Sequence, residues 1–265
     1  MNYETVEAEP RARVQKLPEP QDARASRSET LSARLEPFDT FWQAPKDLES
    51  GYASFAQYYR VNYLPRMPEN RAARILCISC GPGYLVELLK NEGYTNVLGI
   101  DSAEHMIEMA QGRGLPCRQV RAFEFLAESD ELFDMIVPEQ ELNHLTLDET
   151  VEFLRLCRGR LRPGGKIIAY GLNGANPMVG SENLSHNIDH FNTYTEYSLN
   201  QVMTLAGFRD GDVFPLKLYV FYKNPLNYVG LAVTSVFELV CRVMFKLYGK
   251  NVRVLSKKLA IETQV

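Results

Sequence analysis

Apolar positions fall into two rhythms along this chain of 265 residues. Short apolar runs, Ile75–Ser79 and Val97–Ile100, read as buried strands. Between them lie stretches of helical character. Tyr84 to about Asn91 predicts a helix that stops at Gly93, a common C-cap residue. Strands alternating with helices predict an α/β fold. Farther on, Tyr197–Ala206 reads as a helix, and Leu226–Leu247 as a long apolar one on which Thr234, Glu238 and Arg242 recur every fourth residue on one face. Val252–Thr263 has the alternation of a final strand. Residues 1–36 mix charges of both signs with Pro10, Pro18 and Pro20 and lack apolar periodicity, so this arm is expected to be flexible by itself. The folded part then covers 37–265. Aromatic density rises through Phe41, Trp42, Tyr52, Phe55, Tyr58, Tyr59 and Tyr63, which predicts helices over about 38–65 packed either as a cap on a binding site or as ordinary cover for a sheet.

The first strand runs into Cys80-Gly81-Pro82-Gly83, where glycines permit positive φ and leave no Cβ between backbone and ligand. Asp101 follows the turn by about 20 residues, the spacing that places an acid beside ribose hydroxyls at the carboxyl ends of parallel strands. A dinucleotide fingerprint needs a third glycine for tight helix packing, and Val86 stands there instead. The predicted ligand is adenosine-like.

With these landmarks in this order the chain resembles the class I S-adenosylmethionine-dependent methyltransferases over roughly residues 50–265. Phe133-Asp134-Met135-Ile136-Val137 resembles the family's fourth strand and Leu161–Ile168 its turn into the fifth. The resemblance implies a Rossmann-like seven-stranded sheet with helices on both faces, an antiparallel last strand, and S-adenosyl-L-methionine as cofactor. It implies cofactor contacts from Ser79, Cys80, Gly81, Gly83, Asp101, Ser102, Met106, Ala122 and Phe123. Glu139, with Gln140, would reach the methionyl amine. Looser similarity in Tyr58-Tyr59-Arg60, Asn62-Tyr63-Leu64-Pro65, Phe208 and Tyr222-Lys223-Asn224-Pro225 is to methyltransferases of bacterial surface-polysaccharide synthesis. Three positions depart from the family: Cys77 replaces an acid in the first strand, Ser79 a glycine, and Arg121 lies near a usual aspartate.

A net charge of −4 argues against nucleic acid as partner and favours a small-molecule substrate. The five cysteines lack a secreted-scaffold spacing and the N-terminus does not read as a signal peptide, so a cytoplasmic protein with reduced thiols is expected, with Cys77-Ile78-Ser79-Cys80 expected to be neither a redox nor a metal pair. Methyl transfer to a hydroxyl needs a base, for which His144 after the fourth strand, and His186 and His190 in the polar segment Ala175 to Asn192, are the candidates. No third ligand accompanies His186 and His190, so no metal is expected. Arg60 is placed to pair with the cofactor's carboxylate or to lie in solvent. The 226–247 helix, an insertion over about 225–250, ends in a basic run of Arg242, Lys246, Lys250, Arg253, Lys257 and Lys258. It reads as a peripheral contact with the inner membrane surface, or as a helix packed on the sheet or in a homodimer. The expected activity is O-methylation of a saccharide or related metabolite. The alternatives are a degenerate cofactor-binding scaffold and a natural-product N- or C-methyltransferase.

Overall fold

The computed structural model describes residues 48–139, 142–185, 190–217 and 226–265. The arm 1–36, Phe41, Trp42, Gln140, His186 and the Tyr222–Pro225 motif lie outside the described residues.

Strand β1 (Arg74–Ile78) has Ile75, Leu76, Cys77 and Ile78 all without solvent exposure, as a central parallel strand must when both sheet faces are covered. The period of two divides these residues between two cores. Leu76 and Ile78 enter one, with residues of α4 (Ala122–Glu128), α5 (Leu147–Gly159) and α7 (Glu196–Leu205). Ile75 and Cys77 enter the other, with α1 (Leu48–Asn62), α2 (Tyr84–Asn91) and α3 (Glu104–Gly112). Each Leu or Ile so buried stabilises the fold by about 1.5–3 kcal/mol.

Around β1 the sheet adds β2 (Asn96–Asp101), β3 (Cys117–Gln119), β4 (Phe133–Pro138), β5 (Leu161–Leu172), β6 (Asp212–Pro215) and β7 (Lys258–Gln264). Their order is β3-β2-β1-β4-β5-β7-β6. Strands β1 to β5 are parallel, and β7 runs antiparallel to both β5 and β6. The expected seven-stranded sheet with an antiparallel last strand is what forms. The order reverses between β1 and β4, and the crevice beyond their carboxyl ends is where open α/β sheets bind ligands. Local signals support the helices there: Thr146 and Glu149 form a capping box on α5, as Thr195 and Ser198 do on α7.

Three boundaries differ from expectation. Ser79 leaves the first strand, because its φ of 54° turns the chain out of the sheet. The polar segment after β5 is not all loop: Gly180–Ser185 forms a helix, α6. The last strand begins at Lys258 rather than Val252, since only from there does the chain pair with β5 and β6.

Gly99 in β2 carries a packing constraint. A Cβ there would lie 2.7 Å from Cys117 Sγ and 2.8 Å from Cys80 Sγ, which fill the space under the glycine turn. Gly99→Ala is therefore expected to cost about 1–3 kcal/mol by overpacking. Urea unfolding measures this, and an unchanged midpoint would show that the two thiols have room to yield.

Candidate active site

The crevice is built first by backbone. Ser79, Gly81 and Gly83 have φ of 54°, 53° and 85°, so the chain turns left-handed at every second residue. Ser79 thus adopts a left-handed conformation that favours glycine, at a cost of about 1–2 kcal/mol. Gly83 needs its lack of side chain for a second reason, since a Cβ would meet Leu115 Cδ1 at 2.7 Å. Asp101, at the end of β2, fastens the turn: Gly81 N donates to Oδ2 at 2.8 Å and Ala103 N to Oδ1 at 2.9 Å. Cys80 N adds a bond to Ile100 O at 3.0 Å. Cys80 itself is buried, with its sulfur 3.9 Å from that of Cys117 rather than paired with Cys77.

The remaining predicted cofactor residues divide by exposure. Ser102 is exposed beside Asp101, while Met106 is buried in α3. Ala122 and Phe123 open α4, and the ring of Phe123 is tilted against Phe153 at 5.5 Å, packed on the core.

Helix α1 lies against the turn. Tyr52 OH donates to Pro82 O, and Phe55 stacks on Tyr84 with ring centroids 4.4 Å apart. Tyr59 OH donates to Glu139 Oε2. Arg60, by contrast, faces away and pairs with Glu92 at 3.1 Å on the surface.

Glu139 is the most perturbed acid near the crevice. It follows β4, where its N–H donates to Ile78 O at 2.8 Å and its carbonyl accepts from Tyr170 OH. Its Oε1 is buried without a partner among the described residues. Burial pushes the carboxyl up to about 8, against the Tyr59 hydrogen bond, which favours the ionised form; the negative field of Asp101 adds to the rise. Its side chain is close enough to raise the Cys77 thiol further, after burial itself has raised it. The acid absent from β1 therefore has a carboxylate beside its place, supplied from β4.

In the segment after β4 the fold joins two of the three predicted histidines. His144, in a single 3-10 turn over Leu142–His144, and His190 meet edge to face with centroids 4.7 Å apart. Backbone bonds hold the two loops together: Phe191 N donates to Asn143 O at 2.8 Å and Asn192 Nδ2 to Leu145 O at 2.8 Å. Asn143 was not singled out from sequence. Its side chain is wholly buried with neither Nδ2 nor Oδ1 partnered among the described residues, an unusual arrangement for a buried amide. Its only sequence signal was its place next to His144.

A family model described as a methyltransferase domain matches residues 75–165. Two curated relatives are named ubiquinone biosynthesis O-methyltransferase. The one from Pseudomonas syringae pv. tomato is 30% identical over 135 residues, covering 46% of this chain and 56% of the relative. The one from Caulobacter sp. (strain K31) is 35% identical over 106 residues, covering 38% and 41%. The chain thus spans about half the length of the curated relatives it matches. In fold it is similar to a SAM dependent methyltransferase from Archaeoglobus fulgidus, with a TM-score of 0.59 at 22% identity over 81% of this chain and 94% of that one. Sheet order, the turn fastened by Asp101 and the matched model agree: residues 75–165 carry a methyltransferase domain, in a fold similar to that of S-adenosylmethionine-dependent methyltransferases.

Proposed function

We propose that this protein transfers a methyl group from S-adenosylmethionine to a hydroxyl of a small molecule, with His144 and His190 at the acceptor side. The observation that carries the reading is that three features follow the carboxyl ends of parallel strands: the nucleoside-type turn after β1, the buried carboxylate after β4, and the contact of His144, also after β4, with His190, after β5. When bound, the cofactor supplies an electrophilic methyl on a sulfonium. The residues fit it. Asp101 accepts two amide bonds and, as a carboxylate with about four lone-pair sites, keeps capacity for ribose hydroxyls. The partnerless Oε1 of Glu139 is an acceptor for the cationic methionyl end, and Ser79, Cys80, Gly81, Gly83, Ser102, Met106, Ala122 and Phe123 would line the remainder. One ring of the His144–His190 pair takes the acceptor's proton while the other orients it, and α1 excludes water from above.

The names of the curated relatives support oxygen as the acceptor atom. A saccharide hydroxyl, in polysaccharide synthesis, is the acceptor suggested by the narrower resemblance, and a quinone precursor the one suggested by the relatives. The protein would work in the cytoplasm, at the membrane surface or as a homodimer through the 226–247 helix. Methylation of nitrogen or carbon, or cofactor binding without turnover, are the opposing outcomes of the tests below.

Calorimetric titration with S-adenosylmethionine is expected to give saturable binding that Asp101→Ala weakens at least tenfold; no binding to folded wild type would favour a scaffold. In assays with nucleotide sugars and quinone precursors, His144→Ala and His190→Ala are each expected to lower kcat by about 10²–10⁴-fold while cofactor affinity holds. Unchanged turnover would remove both histidines from the reaction.

Glu139 makes a separate pH prediction. Its folded pKa, about 8, lies above the ordinary 4.5, so its proton stabilises the fold fully below that lower value, and the contribution is lost as pH rises through 8. Across this window wild type should lose on the order of a few kcal/mol that Glu139→Gln does not lose. Thermal unfolding between about pH 5 and 9 reads the difference, and parallel curves would show that the carboxyl titrates normally.

A further inference from the structure

Helix α8 (Leu226–Leu247) is inverted relative to a helix of a water-soluble domain. Val229, Val233, Val236, Val240, Val243 and Leu247 each expose more than half of their surface. At 3.6 residues per turn, the exposed apolar side chains from Tyr228 to Leu247 fall within an arc of roughly 160°, on the opposite side from Thr234, Glu238 and Arg242. Cys241, on the arc opposite the exposed valines, is buried. Hydroxyls on the helix are satisfied internally, with Thr234 Oγ1 donating to Gly230 O at 2.9 Å and Ser235 Oγ to Leu231 O at 2.7 Å. A monomeric soluble protein rarely leaves an apolar stripe of this size open to water.

By length and composition Tyr228–Leu247 would cross a bilayer. The topology forbids it. Strands β6 and β7 flank the helix in sequence and pair with each other, Val213 opposite Ile261 and Phe214 opposite Ala260, so both ends of the helix return to one side. A crossing would need a second one, and residues 216–225 are half the length that a hydrogen-bonded helical return through hydrocarbon needs, about 20 residues. The helix must lie along a boundary rather than through it. Charge identifies the boundary. No acid occurs between Glu238 and Glu262, whereas Lys246 and Lys250 stand at the end of the exposed stripe, on a chain of net charge −4; Arg242 lies on the other side of the helix and Arg253 pairs with Glu196 at 2.9 Å. A two-fold dimer through this face would set the two lysines against their own copies; an anionic lipid surface complements them.

We infer that α8 is an in-plane anchor that seats its valine-rich face in the headgroup boundary of an anionic membrane, with Lys246 and Lys250 on the lipid phosphates. The methyltransferase crevice is thereby held beside the bilayer, and the inference deepens the proposed reaction by favouring acceptors presented at a membrane.

Flotation of the full chain with vesicles of phosphatidylcholine alone, or mixed with phosphatidylglycerol, tests this. Binding to the mixed vesicles, weakened by salt, is expected. Val233→Asp with Val240→Asp should abolish it, and Lys246→Ala with Lys250→Ala should lower it roughly tenfold or more. S-adenosylmethionine binding, measured on the same preparations, should be unchanged and shows that the variants are folded. It also separates the two proposals, because vesicle binding stands or falls without turnover. Absence of flotation by wild type, equal binding to both vesicle types, or a stable dimer in solution that excludes vesicles would each overturn the anchor.

Discussion

The hydrogen bonds from the Gly81 and Ala103 amides to the two oxygens of Asp101 are the interactions on which the site's geometry depends. A left-handed turn with one non-glycine residue in it is intrinsically unfavourable, and it persists where its surroundings determine it. Asp101 supplies that determination by tying the turn after β1 to the end of β2, across the strand pair that the parallel register sets, Ile78 opposite Ile100. The space beneath is filled by two thiols that only Gly99 admits, so the turn is held from the side by charge and from below by packing.

Electrostatics then sets the character of the crevice. The first strand holds a buried thiol where the family places an acid, and the negative group arrives instead from the end of β4. Glu139 is held there by its own backbone bond to β1 and by Tyr59 from α1. A buried carboxyl with one unpartnered oxygen is costly when ionised and empty, which is the condition that a cationic ligand relieves. Helix α1 is consequently more than cover for the sheet: two of its tyrosines bond to the two loops that flank the crevice.

The insertion between β6 and β7 follows a different logic. Among the described residues, α1, α2, α3, α5 and α7 turn apolar faces into one of the two cores, whereas α8 turns valines outward and keeps its polar residues on another side. Strand pairing on both flanks ties this helix to the same sheet that holds the crevice, which couples where the protein sits to where its chemistry takes place.

Much of this was legible in the residues themselves. Short continuous apolar runs and the glycine turn identify β1 and β2, because central parallel strands must be apolar on both faces and a ligand-bearing turn must lack side chains. The apolar run 226–247 is read to the residue because few local signals compete with so long a pattern. What required the tertiary structure were contacts between distant segments. Nothing in the sequence places Tyr59 on Glu139, Cys80 beside Cys117 rather than Cys77, or His144 against His190, since these depend on how α1, β3 and the loop before α7 pack on the sheet. Nor does spacing reveal that Arg60 is spent on Glu92, or that Asn143 is buried without partners. Local patterns follow from each residue's own preference for water and backbone angle. Desolvation, pKa and pairing arise only when separate parts of the chain exclude water from one another, and those the fold alone decided.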